Sequence, residues 1–279
     1  MTRRQRAAVV PRALDRLRVA LGRPVTLAGG SLTVLPSDLF LVSYPRSGNT
    51  WFRFLVANAL HPETEASFAS IGTLVPDIYD TPDWALLRTP DPRVLKSHEP
   101  YDRRYRRVVY LVRDPADVAL SYLHYLIKMR TLDDGHGAEA FAERFLAGEL
   151  DTFGTWGEHV RGWLDAREGD ANFLLLRYED ALVDPAGALA RILALLGLEA
   201  DRARIDVAVA RSSAANLRRL EQTTEAVHAR LAASRPDRDF VRRAAPGGAD
   251  EEWPDSVVTR IRTAWPEVAE RLGYGHARR

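Results

Sequence analysis

The stretch from Leu39 to Leu60 narrows the choice of fold more than any other part of this chain. Leu39 to Ser43 is a short apolar run rich in strand formers, Gly and Pro punctuate Tyr44 to Asn49, and Thr50 to Leu60 carries apolar residues at helical spacing. A strand that turns straight into a helix is the opening half of a βαβ unit, and the order recurs. Val94 to Ser97 reads as a short strand, and Val108 to Val112 as a strand buried on both faces. In the next segment Asp114 fits a helix cap, Pro115 the first helical position and Asp117 the first turn, with the helix running to about Met129. Phe173 to Leu176 is a further strand, followed by Tyr178-Glu179-Asp180 and a helix from about Pro185 to Leu196. Strands alternating with helices predict an α/β fold, a three-layer sandwich whose central parallel sheet is flanked by helices.

The ends are expected to differ from this middle. Residues 12–21 read as a short amphipathic helix in an N-terminal helical extension over 1–30, ahead of a single domain over 31–279. Ser212 to Asp255 is polar, Arg-rich and broken by Pro236, Pro246, Gly247 and Gly248, which predicts a helix, a mobile loop over about 233–252, and a last helix from about Asp255 to Leu272. Composition excludes several functions. With no cysteine there is no disulfide, thiolate metal site or cysteine nucleophile, which suits a cytoplasmic protein. A net charge of +1 gives no footprint for nucleic acid, and no run approaches the ~20 apolar residues of a membrane span. Of 39 basic residues only Lys96 and Lys128 are lysines. A lysine kept against that bias is informative, because a compact ammonium is then needed where it stands.

Pro45-Arg46-Ser47-Gly48-Asn49-Thr50-Trp51 lies where α/β folds bind phosphate, between a strand's carboxyl end and a helix start. Gly48 lets the backbone come close, Ser47 and Thr50 offer hydroxyls, and Arg46 brings charge. By spacing alone the segment is either an anion loop or an ordinary βα turn. It is not a Walker A loop, since it lacks the Lys-Ser/Thr pair, and Arg113 rather than an acid follows the strand ending at Val112. An anion bound without magnesium, and no metal site, is the expectation.

Tyr44-Pro45-Arg46-Ser47-Gly48-Asn49-Thr50-Trp51 resembles the 5′-phosphosulfate loop of sulfotransferases that use PAPS (3′-phosphoadenosine-5′-phosphosulfate), typically Tyr-Pro-Lys-Ser-Gly-Thr-Thr-Trp. The run from Val109 to Tyr122 is similar to that family's 3′-phosphate motif, Lys96-Ser97-His98 to its Lys-Thr-His segment, and Arg177-Tyr178-Glu179-Asp180 to its Tyr-Glu-Asp segment. They occur in the family's order across roughly residues 38–260. The resemblance implies a P-loop NTPase-like sulfotransferase fold and in-line transfer of a sulfuryl group from PAPS to a hydroxyl or amine, releasing PAP (3′-phosphoadenosine-5′-phosphate).

It also implies roles. His98 would be the general base, and Lys96 would neutralise the leaving group. Arg46 stands where lysine is usual; it keeps the charge and offers a bidentate fork, and its share in leaving-group chemistry is open. Ser47, Gly48, Asn49 and Thr50 would hold the 5′ end, Arg113 and Ser121 the 3′-phosphate. Trp51 would stack on adenine and Tyr178 hydrogen-bond its edge. Ser212, in a Ser212-Ser213 pair, would lie near the base. Phe240-Val241-Arg242-Arg243-Ala244 resembles the family's Phe-x-Arg-Lys-Gly, so Arg242 and Arg243 would add to the 3′-phosphate site, with Ala244 where glycine is usual; Trp253 would match a tryptophan that follows in the family. Asp114 and Asp117 are assigned to helix capping. The acceptor could be a small molecule, a lipid or a glycan, with pocket segments at about Ile71 to Trp84, Leu126 to Phe145 and Ala233 to Asp250, and a homodimer is open. A magnesium-dependent kinase and a non-catalytic binding module are the competing classes.

Overall fold

The computed structural model describes residues 27, 31–199, 201–223 and 234–274. The helix expected over 12–21 lies outside them. Four strands, β1 (Leu39–Ser43), β2 (Val94–Ser97), β3 (Arg107–Val112) and β4 (Phe173–Arg177), form one sheet in the order β2-β1-β3-β4. Every pairing is parallel, with Leu41 opposite Lys96 and Val109, and Val109 opposite Leu174.

Alternation along the strands splits the core in two. Phe40, Val42, Val108, Tyr110 and Val112 face one apolar layer, and Leu39, Leu41, Val94, Val109 and Leu111 face the other. The first layer is closed by residues of α4 (Pro115–Lys128), α5 (Ala138–Leu146), α6 (Trp156–Arg167), α12 (Asp255–Thr263) and α13 (Pro266–Leu272). The second is closed by α1 (Asn49–Leu60), α8 (Pro185–Leu195) and α9 (Arg202–Arg211). This is the expected three-layer sandwich. Between these lie the short α2 (Ile71–Leu74), α3 (Asp83–Leu86) and α7 (Tyr178–Val183), with α10 (Ala214–Thr223) and α11 (Gly248–Glu252) later in the chain.

The caps fall mostly as read. Asp114 accepts from the backbone N–H groups of Ala116 and Asp117, and Pro115 opens α4. Asp117 differs. Its carboxylate accepts from the N–H groups of Gly247 at 2.7 Å and Ala249 at 3.0 Å, so it caps α11, far along the chain, instead of its own helix. The stretch read as a loop over 233–252 thus contains that helical turn. It is also tied down upstream: Lys128 Nζ reaches the carbonyl of Arg238 at 2.5 Å and Glu221 at 3.3 Å, while Glu221 accepts from the N–H groups of Phe240 and Val241.

Candidate functional site

The loop from β1 into α1 requires glycine at one point. Gly48 has φ 95°, and a Cβ there would stand 2.5 Å from the Tyr178 ring. Handedness and packing both exclude a side chain. The helix begins at Asn49 with no side-chain cap, so its first N–H groups lack intrahelical partners at the positive end of the helix dipole. Ser47 is fully buried, and its hydroxyl has no partner among the described residues. Asn49 works inward instead, donating to the carbonyl of Leu41 at 3.0 Å and to Ser43 Oγ at 3.2 Å, which ties α1 to the strand.

A cavity of about 840 Å³ opens from this loop. Its wall includes Arg46, Thr50, Arg113, Ser121, Arg242 and Arg243 around the loop, and Lys96, His98, Tyr79 and Phe153 beyond it. Arg46 takes φ 70° and donates from Nε to Ser121 Oγ at 3.3 Å, with its guanidinium 4.6 Å from the Tyr125 ring centre and 5.2 Å from that of Phe240. Burial, with added repulsion from Arg113 and Arg242, lowers this group to about 10, which leaves it charged at neutral pH. The Arg113 guanidinium lies 4.5 Å above the Tyr178 ring and donates to the carbonyl of Ala245 at 3.3 Å. It has a loose contact with Asp117 at 3.5 Å, and its Nε has no partner among the described residues. Like charges gathered this closely, with buried donors left over, suit an anion.

Other residues expected in the site line the same cavity but are engaged by protein partners. Trp51 donates its indole N–H to the carbonyl of Ser212 at 3.1 Å and packs edge-on against Phe52 and Tyr178. The Ser212 hydroxyl is buried against Asn58 Nδ2 at 3.1 Å, so what it presents to Trp51 is its backbone. Tyr178 is the floor under Gly48 and Arg113. Arg242 pairs with Glu252, and Arg243 with Glu251 at 2.6 Å. The carbonyls of Arg242 and Arg243 are gripped by Arg218. Ala244 has φ 52°, so the left-handed turn that glycine would favour is kept. Trp253 is a core residue against Phe141.

At the other end, His98 is fixed from several sides. Nδ1 lies 2.7 Å from the carbonyl oxygen of Ser43; that oxygen can only accept, so Nδ1 carries the proton. Nε2 then holds the free lone pair, and no hydrogen bond engages it among the described residues. The backbone N–H of His98 donates to Tyr79 Oη at 2.7 Å, and its carbonyl accepts from His159 Nε2 at 2.9 Å. His159 Nδ1 in turn meets Tyr110 Oη at 2.8 Å. The Tyr79 ring lies parallel to the imidazole at 6.2 Å, and Phe153 tilts against both. Burial, reinforced by Lys96, lowers the His98 pKa well below its ordinary value, so the ring is neutral at neutral pH. Lys96 Nζ is 2.5 Å from Asp77 Oδ2.

Several of these residues escape the sequence reading. Asp77 and Tyr79 fall inside the pocket segment expected over Ile71 to Trp84, with nothing local to single them out. Phe153 and Tyr125 have no local signal at all, and Tyr122 closes the run matched to the 3′-phosphate motif without a role of its own. Lys128 has one, its rarity, and it too lies on the cavity wall. Among the described residues no group of His, Cys, Asp and Glu could hold a metal ion.

The parallel α/β sheet thus carries a glycine-only loop at the end of its first strand, an arginine-rich corner beside it and an imidazole with one unengaged nitrogen on the same cavity wall. Residues 36–253 match the family model described as the sulfotransferase domain, and the chain belongs to that family. It is 29% identical over 204 residues to human Sulfotransferase 2B1 (68% of this chain, 54% of that protein). Against mouse Sulfotransferase 2B1 it is 28% identical over 269 residues (90% and 75%). The chain therefore spans about half of the human relative and three quarters of the mouse one. Its fold is shared with retinol dehydratase, solved with androsterone and inactive cofactor PAP, at a TM-score of 0.70 and 22% identity over 86% of this chain and 82% of that one.

Proposed function

We propose that this protein is a PAPS-dependent sulfotransferase that moves a sulfuryl group to a hydroxyl or amine of a small acceptor with a flat apolar body. The observation that carries this reading is His98. Its Nδ1 proton is held by Ser43, and its Nε2 lone pair is left on a cavity wall shared with an arginine-lined phosphate loop. The orphaned Ser47 hydroxyl, the Arg113 Nε and the glycine-only approach at Gly48 all fit the donor's two phosphate ends.

The bound donor supplies an electrophilic sulfur and a phosphate that departs with the bonding electrons. His98 takes the acceptor proton at Nε2 as the new bond to sulfur forms. Lys96, two residues earlier on the same wall, offsets the charge left on the departing phosphate. The loop N–H groups, Ser47 and Thr50 hold the 5′ end, and Arg113 and Ser121 the 3′-phosphate. We place Arg46 with that second group, because its side chain points to Ser121, Tyr125 and Phe240. Arg242 and Arg243 would join by exchanging Glu252 and Glu251 for phosphate. Tyr178 and Trp51 would line the adenine end.

The rings of Tyr79 and Phe153 beside His98 favour a flat acceptor. Retinol dehydratase, with androsterone bound, accommodates a rigid ring system bearing a hydroxyl. The cysteine-free composition favours a reducing compartment such as the cytoplasm. Calorimetric titration tests donor choice: PAP should bind far more tightly than AMP or ATP, with no gain from magnesium. Equal affinity for PAP and ATP, or a magnesium requirement, would reverse the assignment.

A further inference from the structure

Lys96 must be an ammonium to offset charge on a leaving phosphate, yet its side chain is only 14% exposed. The fold answers this with backbone register. Lys96 lies on the edge strand β2, and a single parallel bridge pairs it with Asp77. The N–H of Lys96 donates to the carbonyl of Pro76 at 2.8 Å, and the N–H of Ile78 to the carbonyl of Lys96 at 3.2 Å. Neighbours across such a bridge set their side chains side by side. Asp77 Oδ2 meets Nζ at 2.5 Å, and Oδ1 accepts from the N–H of Tyr79 at 3.1 Å, so the carboxylate cannot turn away.

The other charged and titratable groups around Lys96 come from every side. Arg53 on α1 is held by the carbonyls of Ile71 and Val75, and Asp80 follows Asp77 in the same segment. His98 stands two residues on, and the Tyr79 ring centre is 5.4 Å from Nζ. Asp77 makes a direct ion pair with Lys96.

We propose that Asp77 is a positioning residue that keeps Lys96 protonated and aimed beside His98, so that the wall of the cavity retains a cation for the leaving group. This rests on the sulfuryl-transfer reading given above. Burial lowers the Lys96 pKa, Asp77 is the strongest opposing influence, and Arg53 adds to the lowering. Burial works to raise Asp77, but Lys96 and Arg53 outweigh it and hold the carboxyl below its ordinary range. The sign is then fixed. A lysine with a lowered pKa loses its charge as pH rises through that value, and loss of Asp77 moves the change to lower pH.

Because Lys96 and Lys128 are the only lysines of the 279 residues, this chain labelled with 13Cε-lysine gives two side-chain signals, assigned with Lys128→Arg. In Asp77→Asn the Lys96 titration should fall by about 1–3 pH units, the usual effect of a close opposite charge. With labelled PAPS and 2-naphthol as acceptor probe, kcat should then drop above the new midpoint and recover below it, with PAP affinity unchanged. Asp77→Glu should restore part of the profile. An unmoved Lys96 titration in Asp77→Asn, or a loss of kcat equal at every pH, would overturn the proposal. Should Asp77→Asn fail to fold, the native chain still decides: a Lys96 signal already neutral at neutral pH would overturn it. A shifted lysine in a protein that binds no PAP would leave the pairing standing and sink the sulfuryl-transfer reading instead.

Discussion

His98→Ala is expected to lower sulfuryl transfer by about 10²–10⁴-fold, the usual worth of a positioned general base, with PAP binding retained. The argument is geometric. The carbonyl of Ser43 takes one ring nitrogen, so a single lone pair faces the cavity, while the neighbouring His159 has both ring nitrogens engaged, by the His98 carbonyl and by Tyr110 Oη. The pH profile adds a check. The His98 pKa lies well below its ordinary value, through burial and the neighbouring Lys96. The active form is the neutral ring, so lowering the pKa carries the acid limb down with it. Transfer should be flat around neutral pH and fall only in more acidic solution. Binding lost together with turnover would show that His98 supports the cavity rather than the reaction.

Arg113→Met should weaken PAP binding by roughly 10–100-fold, in line with the 1.5–3 kcal/mol typical of a hydrogen bond to a charged group. AMP, which lacks the 3′-phosphate, should bind the variant and the native chain alike. The discrimination follows from position. Arg113 directly follows β3, its guanidinium is levelled on the Tyr178 ring, and its existing contacts to Asp117 and Ala245 are long. An equal loss for PAP and AMP would place Arg113 at the shared 5′-phosphate or give it a structural part. Competition titrations of both nucleotides separate these cases.

What could be read from the sequence was local. The strands, the Gly48 loop, the Asp114-Pro115 helix start and the Lys96-Ser97-His98 run each lie within a few residues of the signal that marks them. What could not be read depends on pairs brought together from afar. Asp77 matters only because a bridge on the sheet edge sets it beside Lys96. Phe153 matters because its segment folds back against Tyr79 and His98. Asp117 is the first-turn acid the sequence suggests, but its carboxylate caps a helix starting 131 residues later, at Gly248. Lys128 is marked by its rarity and by its place in the segment Leu126 to Phe145, but its task, pinning the segment before Phe240, needs Glu221 and Arg238 beside it. Arg46 shows the same limit: the loop motif predicted its charge, and only the fold showed the side chain leaning to Ser121.

The central claim is sulfuryl transfer at His98, and transfer itself is its most direct measure. The purified chain, given PAP35S and a panel of phenols and steroid alcohols without magnesium, should yield a labelled sulfate ester and one PAP per turnover. Product formation should fall by about 10²–10⁴-fold with His98→Ala. A native protein that binds PAP yet labels no acceptor in the panel, or that transfers phosphate from magnesium ATP to the same acceptors, would contradict the account.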